Sequence, residues 1–151
     1  MFRQRPADRF FELAAQADVG VIARVPLASG MLTGKMRPDT VFTSDDHRSY
    51  NRNGEAFDVG ETFAGVPYDT GLAAVTQLKK LVPEGATMAQ LALRWILMHE
   101  AVSTTIPGAK SADQAVGNAA ASDLLAIDAA TMTGVSEVYE GMIAEHVHAR
   151  W

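Results

Sequence analysis

The chain has 151 residues, enough for one ordinary domain, and 48% of them are hydrophobic, which argues against disorder along its whole length. A net charge of −5 argues against a broad nucleic-acid or anionic-membrane surface, and the lack of cysteine excludes disulfides, thiolate metal sites and a cysteine nucleophile. No apolar run reaches ~18 residues, and the basic start (residues 1–6) lacks an apolar core, so neither a membrane helix nor a signal peptide is expected; the composition suits the cytoplasm.

Arg5-Pro6-Ala7-Asp8 reads as a helix entrance, with Asp8 as its cap. Phe10, Leu13, Ala14 and Ala17 recur at helical spacing, which predicts a helix to about Asp18. Residues 19–25 are short, apolar and rich in Val and Ile, the pattern of a strand buried on both faces. Pro26 ends it. Residues 27–35 follow with two glycines, Gly30 and Gly34, which permit a sharp turn or a close ligand approach. Gly30…Gly34-Lys35 is one residue short of a phosphate-binding P-loop and has Met36 where Ser or Thr is required, so that reading is rejected.

Residues 37–67 are polar and loop-like. A loop of that length is a functional lid or a disordered segment. Phe42, Tyr50, Phe57 and Phe63 are spaced through it as hydrophobic anchors, which a plain surface loop also explains. Asp45-Asp46 lacks the spacing of a calcium loop and reads as solvated turn chemistry.

Residues 68–81 are predicted helical, with Leu72, Val75, Leu78 and Val82 along one side. Thr87 and Gln90 form a capping box, and the helix after them is apolar nearly all round (Met88, Leu91, Ala92, Leu93, Trp95, Ile96, Leu97), so it is expected in the core. Residues 102–106 are β-branched and predict a strand, closed by Pro107-Gly108. Ser111 and Gln114 form a second capping box. Ala112, Ala115, Val116, Ala119 and Ala120 then fall on one helical face. A helix N-terminus beside Lys110 suits a phosphate, although a well-capped helix explains the same residues. Residues 128–145 predict a last helix, with Met132, Val135, Tyr139, Met142 and Ile143 inward. His146 and His148 have no third ligand nearby and read as a fraying helix end. Trp151 has two readings, packed back or free. Helices and strands in this alternation point to α/β packing with parallel strands.

Two motifs carry a family resemblance. One is Val21-Ile22-Ala23-Arg24-Val25-Pro26-Leu27-Ala28-Ser29-Gly30-Met31-Leu32-Thr33-Gly34-Lys35. The other is Ala89-Gln90-Leu91-Ala92-Leu93-Arg94-Trp95-Ile96-Leu97, running on to Ile106-Pro107-Gly108-Ala109-Lys110-Ser111 and Gln114…Asn118. In this order and separation they resemble the C-terminal half of an aldo-keto reductase, most closely the branch with potassium-channel β subunits and bacterial general reductases. The resemblance implies an α/β fold, the C-terminal portion of a (β/α)8 TIM barrel with residues 19–25 as strand 7 and 102–106 as strand 8. As an isolated piece it would be mainly helical.

The resemblance also implies NADPH or NADP as cofactor, and an oxidoreductase that reduces aldehydes or ketones to alcohols. Leu27, Ala28 and Ser29 would line the pyrophosphate, with Gly30 in the turn, Lys35 as counter-charge and Arg48 reaching a phosphate from the long loop. Gly108 would allow close approach, Lys110 and Ser111 would hold the 2′-phosphate, and Gln114 and Asn118 would face the phosphate and adenine. Two departures stand out: Gly117 where relatives often have an acidic residue, and Val25 where they often have Ser.

The family's catalytic Asp, Tyr, Lys and His lie in motifs that do not occur in these residues, so no catalytic residue is assigned. Residues 1–151 are thus expected to form a single incomplete domain, inactive alone. The alternative is a non-catalytic nucleotide-binding or protein-interaction module. Two strands cannot close a barrel. The open outcomes are self-association, pairing with a complementary N-terminal half, re-packing as a helical cluster, or marginal stability.

Overall fold

The computed structural model describes residues 1–150, so the readings of Trp151 lie outside the described residues. Two short parallel strands, β1 (Val21–Arg24) and β2 (Val102–Ile106), form the sheet. Val21 pairs with Val102 and Arg24 with Ile106, with an irregularity after Val21. Both chains therefore leave the sheet at the same end. A parallel pair needs a long crossover, and here the crossover holds three of the seven α-helices among the described residues, including the central one.

A π-helical turn, Ala7–Phe11, runs into α1 (Glu12–Gln16). Asp8 is not its cap: Pro6 takes that position, and Asp8 lies in the first turn. The apolar stripe at helical spacing is only partly covered. Ala14 is buried and Phe11 packs on the core, whereas Phe10 and Leu13 are 48% and 62% exposed. The strand expected to be buried on both faces is also half open. Its accessibility alternates, with Ile22 62% exposed and Val25, just past its end, exposed as well. Helices cover one face of this small sheet, and no element among the described residues covers the other.

Between the strands lie α2 (His47–Tyr50), α3 (Tyr68–Leu78) and α4 (Met88–Leu97). Helix α4 is the centre of the core. Its Met88, Leu91, Ala92, Leu93, Trp95 and Ile96 are all buried. The Thr87 capping box forms in both directions: Thr87 Oγ1 accepts from the Gln90 N–H at 3.2 Å, and Gln90 Oε1 accepts from the Thr87 N–H at 2.9 Å.

After β2, α5 (Ala112–Ala119) lies on the surface without a buried residue. Its predicted apolar face is solvent-exposed, with Val116 69% accessible. Asp128 caps α6 (Ala129–Val138) by accepting from the Thr131 N–H at 2.7 Å, which holds its carboxyl below the usual range. A π-helical turn, Tyr139–Ile143, then leads to α7 (Ala144–Val147). Val135, Tyr139, Ile143 and Val147 point into the core. The end expected to fray is tied down instead. Tyr139 Oη lies 2.9 Å from His148 Nδ1, and Arg5 Nη1 donates to the His148 carbonyl at 2.8 Å.

Candidate functional site

The loop leaving β1 turns within six residues, and its backbone is strained. Val25, Ala28 and Ser29 have φ of 49°, 48° and 55°, and Gly30 has 91°. Left-handed backbone costs an L-residue roughly 1–2 kcal/mol, and a β-branched residue such as Val25 rarely adopts it. The turn persists because its far side is anchored. Ala28, Met31 and Leu32 are 3%, 0% and 1% exposed, and burying a Met or Leu side chain contributes about 1.5–3 kcal/mol. Anchored there, the turn leaves Leu27, Ser29 and Gly30 partly open. The N–H groups of Leu27 and Ser29 have no backbone acceptor among the described residues. Two free donors at the C-terminal end of a parallel strand suit an anion. The helical run that begins at Ala28 ends at Gly34, whose φ of 70° suits a left-handed C-cap, and Lys35 follows exposed.

Residues 37–67 fold over this turn. The hub of the segment is Asn51, which is wholly buried. Its Oδ1 accepts from the Ala56 and Phe57 N–H groups at 2.9 and 2.8 Å, and its Nδ2 donates to Thr62 Oγ1 at 3.2 Å. Phe63 is 0% exposed and packs against Phe42 and Tyr68, with ring centroids 6.1 and 5.1 Å away. The Arg48 guanidinium lies 4.5 Å above the Phe42 ring, and that of Arg52 lies 4.7 Å above Tyr68. Cation–π contacts of this kind hold the loop's basic residues beside its anchors.

Arg48 reaches the turn, where its Nη1 donates to the Ser29 carbonyl at 3.4 Å. A Cβ at Gly30 would stand 3.6 Å from that same Nη1, an ordinary contact, so the φ of 91° rather than the space beside Arg48 is what favours glycine here. Arg48 is not a free cation, however. Asp46 accepts from its Nε at 2.9 and 3.1 Å and from its Nη2 at 2.5 Å. These hydrogen bonds hold the Asp46 carboxyl at about 2. Asp46 is therefore no solvated turn residue: it caps α2 and neutralises Arg48.

His47 completes the cluster. Its Nε2 lies 3.3 Å from Ser29 Oγ, and its Nδ1 lies 3.5 Å from Asp46 Oδ1. The order Asp, His, Ser matches a serine-hydrolase relay, but the hydroxyl is otherwise engaged. Ser29 Oγ accepts from the Phe63 N–H at 3.2 Å and donates to the Glu61 carbonyl at 3.3 Å. With Asp46 bound to Arg48, the arrangement fastens loop to turn and does not activate a nucleophile.

The second set of residues leaves β2 beside this turn. Ser111 Oγ accepts from the Gln114 N–H at 3.2 Å, as expected of a cap. Gln114 Oε1 accepts from the Lys110 N–H at 2.7 Å, so the expected box closes one residue upstream of the cap. Asn118 Nδ2 donates to the Gly108 carbonyl at 3.3 Å and holds the loop to the helix. Gly108, Lys110, Ser111 and Gln114 are exposed. The structure thus brings Ser29, Gly30 and Arg48 together, gathers Gly108 to Asn118 in a second group, and sets both at one end of the sheet. No hydrogen bond joins the two groups among the described residues. His47, Asp46 and Asn51 were not anticipated as site residues. The sequence signal that could have found the first two is the run Asp46-His47-Arg48, a capping acid followed by two bases.

A cavity of about 550 Å³ opens between the N-terminal segment and β1 and reaches the turn at Pro26 and Ala28; Phe10, Phe11, Ile22, Trp95 and His99 line its apolar side. Trp95 Nε1 and His99 Nε2 are buried without hydrogen-bond partners. No cluster of three potential metal ligands exists among the described residues, and no helix there is long and apolar enough to cross a membrane.

Comparison with known proteins identifies the family. The family model described as Aldo/keto reductase family matches residues 1–140. An L-glyceraldehyde 3-phosphate reductase of Escherichia coli O157:H7 is 34% identical over 97 residues, which cover 64% of this chain and 26% of that protein. A probable voltage-gated potassium channel subunit beta of Arabidopsis thaliana is 30% identical over 129 residues, covering 82% of this chain and 36% of its own length. Among solved structures, a glycerol dehydrogenase of Gluconobacter oxydans superposes with a TM-score of 0.74 at 26% identity, covering 97% of this chain and 40% of the other. An aldo-keto reductase of Bacillus halodurans in its holo form superposes with a TM-score of 0.61 at 23% identity, covering 91% and 39%. The chain therefore spans between about a quarter and two fifths of the length of these relatives.

Proposed function

Since the chain belongs to the aldo/keto reductase family of oxidoreductases, we propose that it holds the phosphates and adenosine of NADPH across the ends of β1 and β2. One observation carries this reading: the turn at residues 27–30 offers the Leu27 and Ser29 N–H groups, which have no backbone acceptor among the described residues, where the parallel strands end together. The donor set fits a dinucleotide. Leu27 and Ser29 offer N–H groups to the pyrophosphate, and Lys35 offers a cation. Lys110 and Ser111 suit the 2′-phosphate, Gln114 and Asn118 the adenine side, and residues 37–67 the cover over the cofactor. When bound, the dihydronicotinamide supplies hydride to an aldehyde or ketone carbon. The proton donor comes from outside these residues, so the chain alone binds and does not reduce.

The test is a titration with NADPH, followed by its fluorescence. Binding should saturate, and Lys110→Glu should weaken NADPH more than NADH, because only NADPH carries the 2′-phosphate. No change at millimolar ligand would sink the reading, and equal losses for the two cofactors would remove the 2′-phosphate assignment.

A second reading, favoured by the open apolar face, concerns assembly. Ile22, Val25 and Ile106 are 62%, 45% and 58% exposed beside the 550 Å³ cavity. Such a face with open strand edges favours association. Its occupant would be a complementary barrel half or a second copy. The same surface also suits a non-catalytic interaction module. A monomer by light scattering, with a sharp melt and no binding of an apolar dye, argues against self-association.

A further inference from the structure

We propose that Asn51 is a positioning residue for dinucleotide binding: through Thr62 it holds Ser29 in the left-handed turn that offers its N–H group to the cofactor phosphates. The proposal rests on the cofactor reading above and adds to it a residue too deeply buried to meet the ligand.

A serine at φ 55° is kept there by its surroundings, since an L-residue does not favour the left-handed region. Two stretches of the 37–67 segment grip it. From the first, Arg48 Nη1 donates to the Ser29 carbonyl at 3.4 Å. From the second, the Phe63 N–H donates to Ser29 Oγ at 3.2 Å, and the Ser29 hydroxyl donates to the Glu61 carbonyl at 3.3 Å. Thr62 stands between those last two partners, so the placement of its backbone sets both bonds to Ser29. Its side chain is wholly buried, and its Oγ1 accepts from Asn51 Nδ2 at 3.2 Å. Asn51 is tied to the first stretch by its own backbone: its N–H donates to the His47 carbonyl at 2.9 Å and closes α2 beside Arg48. Its Oδ1 gathers the Ala56 and Phe57 N–H groups on the way. One side chain therefore joins the two stretches that hold Ser29. Between Asn51 and Thr62 the only regular element is a three-residue 3-10 turn, Val59–Glu61.

Burial makes this tie decisive, because water does not reach Asn51 to replace a lost partner. A shorter side chain deprives the Ala56 and Phe57 N–H groups of their acceptor and Thr62 Oγ1 of its donor, and releases the second stretch from the first. The Ser29 turn then occupies its binding-competent form for less of the time, and apparent affinity falls by the same fraction. Loss of one net hydrogen bond corresponds to a drop of about five- to tenfold in that population.

The experiment is fluorescence titration with NADPH of the full chain, Asn51→Ala, Thr62→Val, the two combined, and Val135→Ala, each well below its own melting temperature. Val135 is a core residue of α6, 1% exposed, and its truncation measures what general destabilisation does to binding. Asn51→Ala should bind about five- to tenfold more weakly, and Val135→Ala should bind as wild type does. Thr62→Val keeps its residue's shape and should reproduce part of the loss. The double variant should bind no worse than Asn51→Ala, because both changes act on one route. In the unliganded protein, the Ser29 and Gly30 amide resonances should move in Asn51→Ala and Thr62→Val and stay in place in Val135→Ala. Wild-type affinity in a folded Asn51→Ala, multiplied losses in the double variant, or unmoved Ser29 and Gly30 resonances overturn the proposal. Should Asn51→Ala fail to fold, Thr62→Val with wild-type affinity overturns it. Absence of binding by wild type overturns the cofactor reading, and the two resonances then still decide whether Asn51 holds the turn.

Discussion

Asp46→Asn removes one charge from the loop and spares most of its geometry. Asparagine can still accept the Arg48 N–H, now 2.9 Å from Asp46 Oδ1, so the cap of α2 survives. What is lost is the ion pair. Hydrogen bonds from the Arg48 side chain, above all, lower the Asp46 carboxyl from an ordinary 3.8 to about 2. At 1.36 kcal/mol per pH unit that gap is worth roughly 2 kcal/mol. Solvent reaches both side chains, which are 21% and 19% exposed, so about 1–2 kcal/mol remains after screening. For a chain of this size the melting temperature should fall by about 3–6 °C at pH 7. The sign of the pH dependence follows from a carboxyl that is more acidic when folded. Its stabilisation is complete above the unfolded value and is lost as pH falls through about 2. Urea midpoints of wild type and variant should therefore converge between about pH 4 and about pH 2. Asp46→Ala, which also removes the cap, should cost about 1 kcal/mol more. Equal melting temperatures at pH 7, or a gap that stays constant into acid, would refute the assignment.

Val25→Gly relieves a β-branched residue at φ 49°. The strain removed, about 1–2 kcal/mol, exceeds glycine's added unfolded-state freedom of about 0.5–1 kcal/mol; a modest rise in melting temperature is expected, and a fall contradicts the strain. His99 stacks edge-on with Trp95 and Phe11, at 4.8 and 5.3 Å between ring centroids. Burial, and then the nearby N-terminal ammonium, lowers its pKa. Stability contributed by the neutral ring is present above the unfolded histidine value of ~6.5 and declines as pH falls below it. His99→Phe should flatten the loss of urea stability between pH 7.5 and pH 5, and identical slopes would count against a buried neutral histidine.

The parts of this fold that were legible in the sequence are those fixed by neighbours along the chain. The Thr87–Gln90 box and the Ser111 cap are pairings three residues apart, and both are present. The apolar run of α4 could only be core. The parallel pairing of 21–24 with 102–106 followed from the alternation of helix and strand. What failed was burial. Periodicity says which residues share a face, but not whether anything covers it: the strand at residues 19–25 reads as buried on both faces, yet Ile22 is exposed, and the apolar stripes of Phe10, Leu13 and Val116 meet solvent as well.

The site divided along the same line. Ser29, Gly30, Lys110, Ser111, Gln114 and Asn118 stand on turns and caps with visible local signals, and they came from motif resemblance. Asn51 was invisible, because its bonds reach five, six and eleven residues ahead through an irregular loop. Asp46 looked like an ordinary surface acid. Only the folded loop shows that it cancels the charge of Arg48.

The central claim is that one dinucleotide spans both strand ends. Amide chemical-shift mapping on the labelled chain, titrated with NADP, tests it most directly. The account predicts that Ser29 and Gly30 shift together with Lys110, Ser111 and Gln114, on a single binding curve. Shifts confined to one of the two loops, or displaced to the apolar face around Ile22 and Trp95, would contradict it.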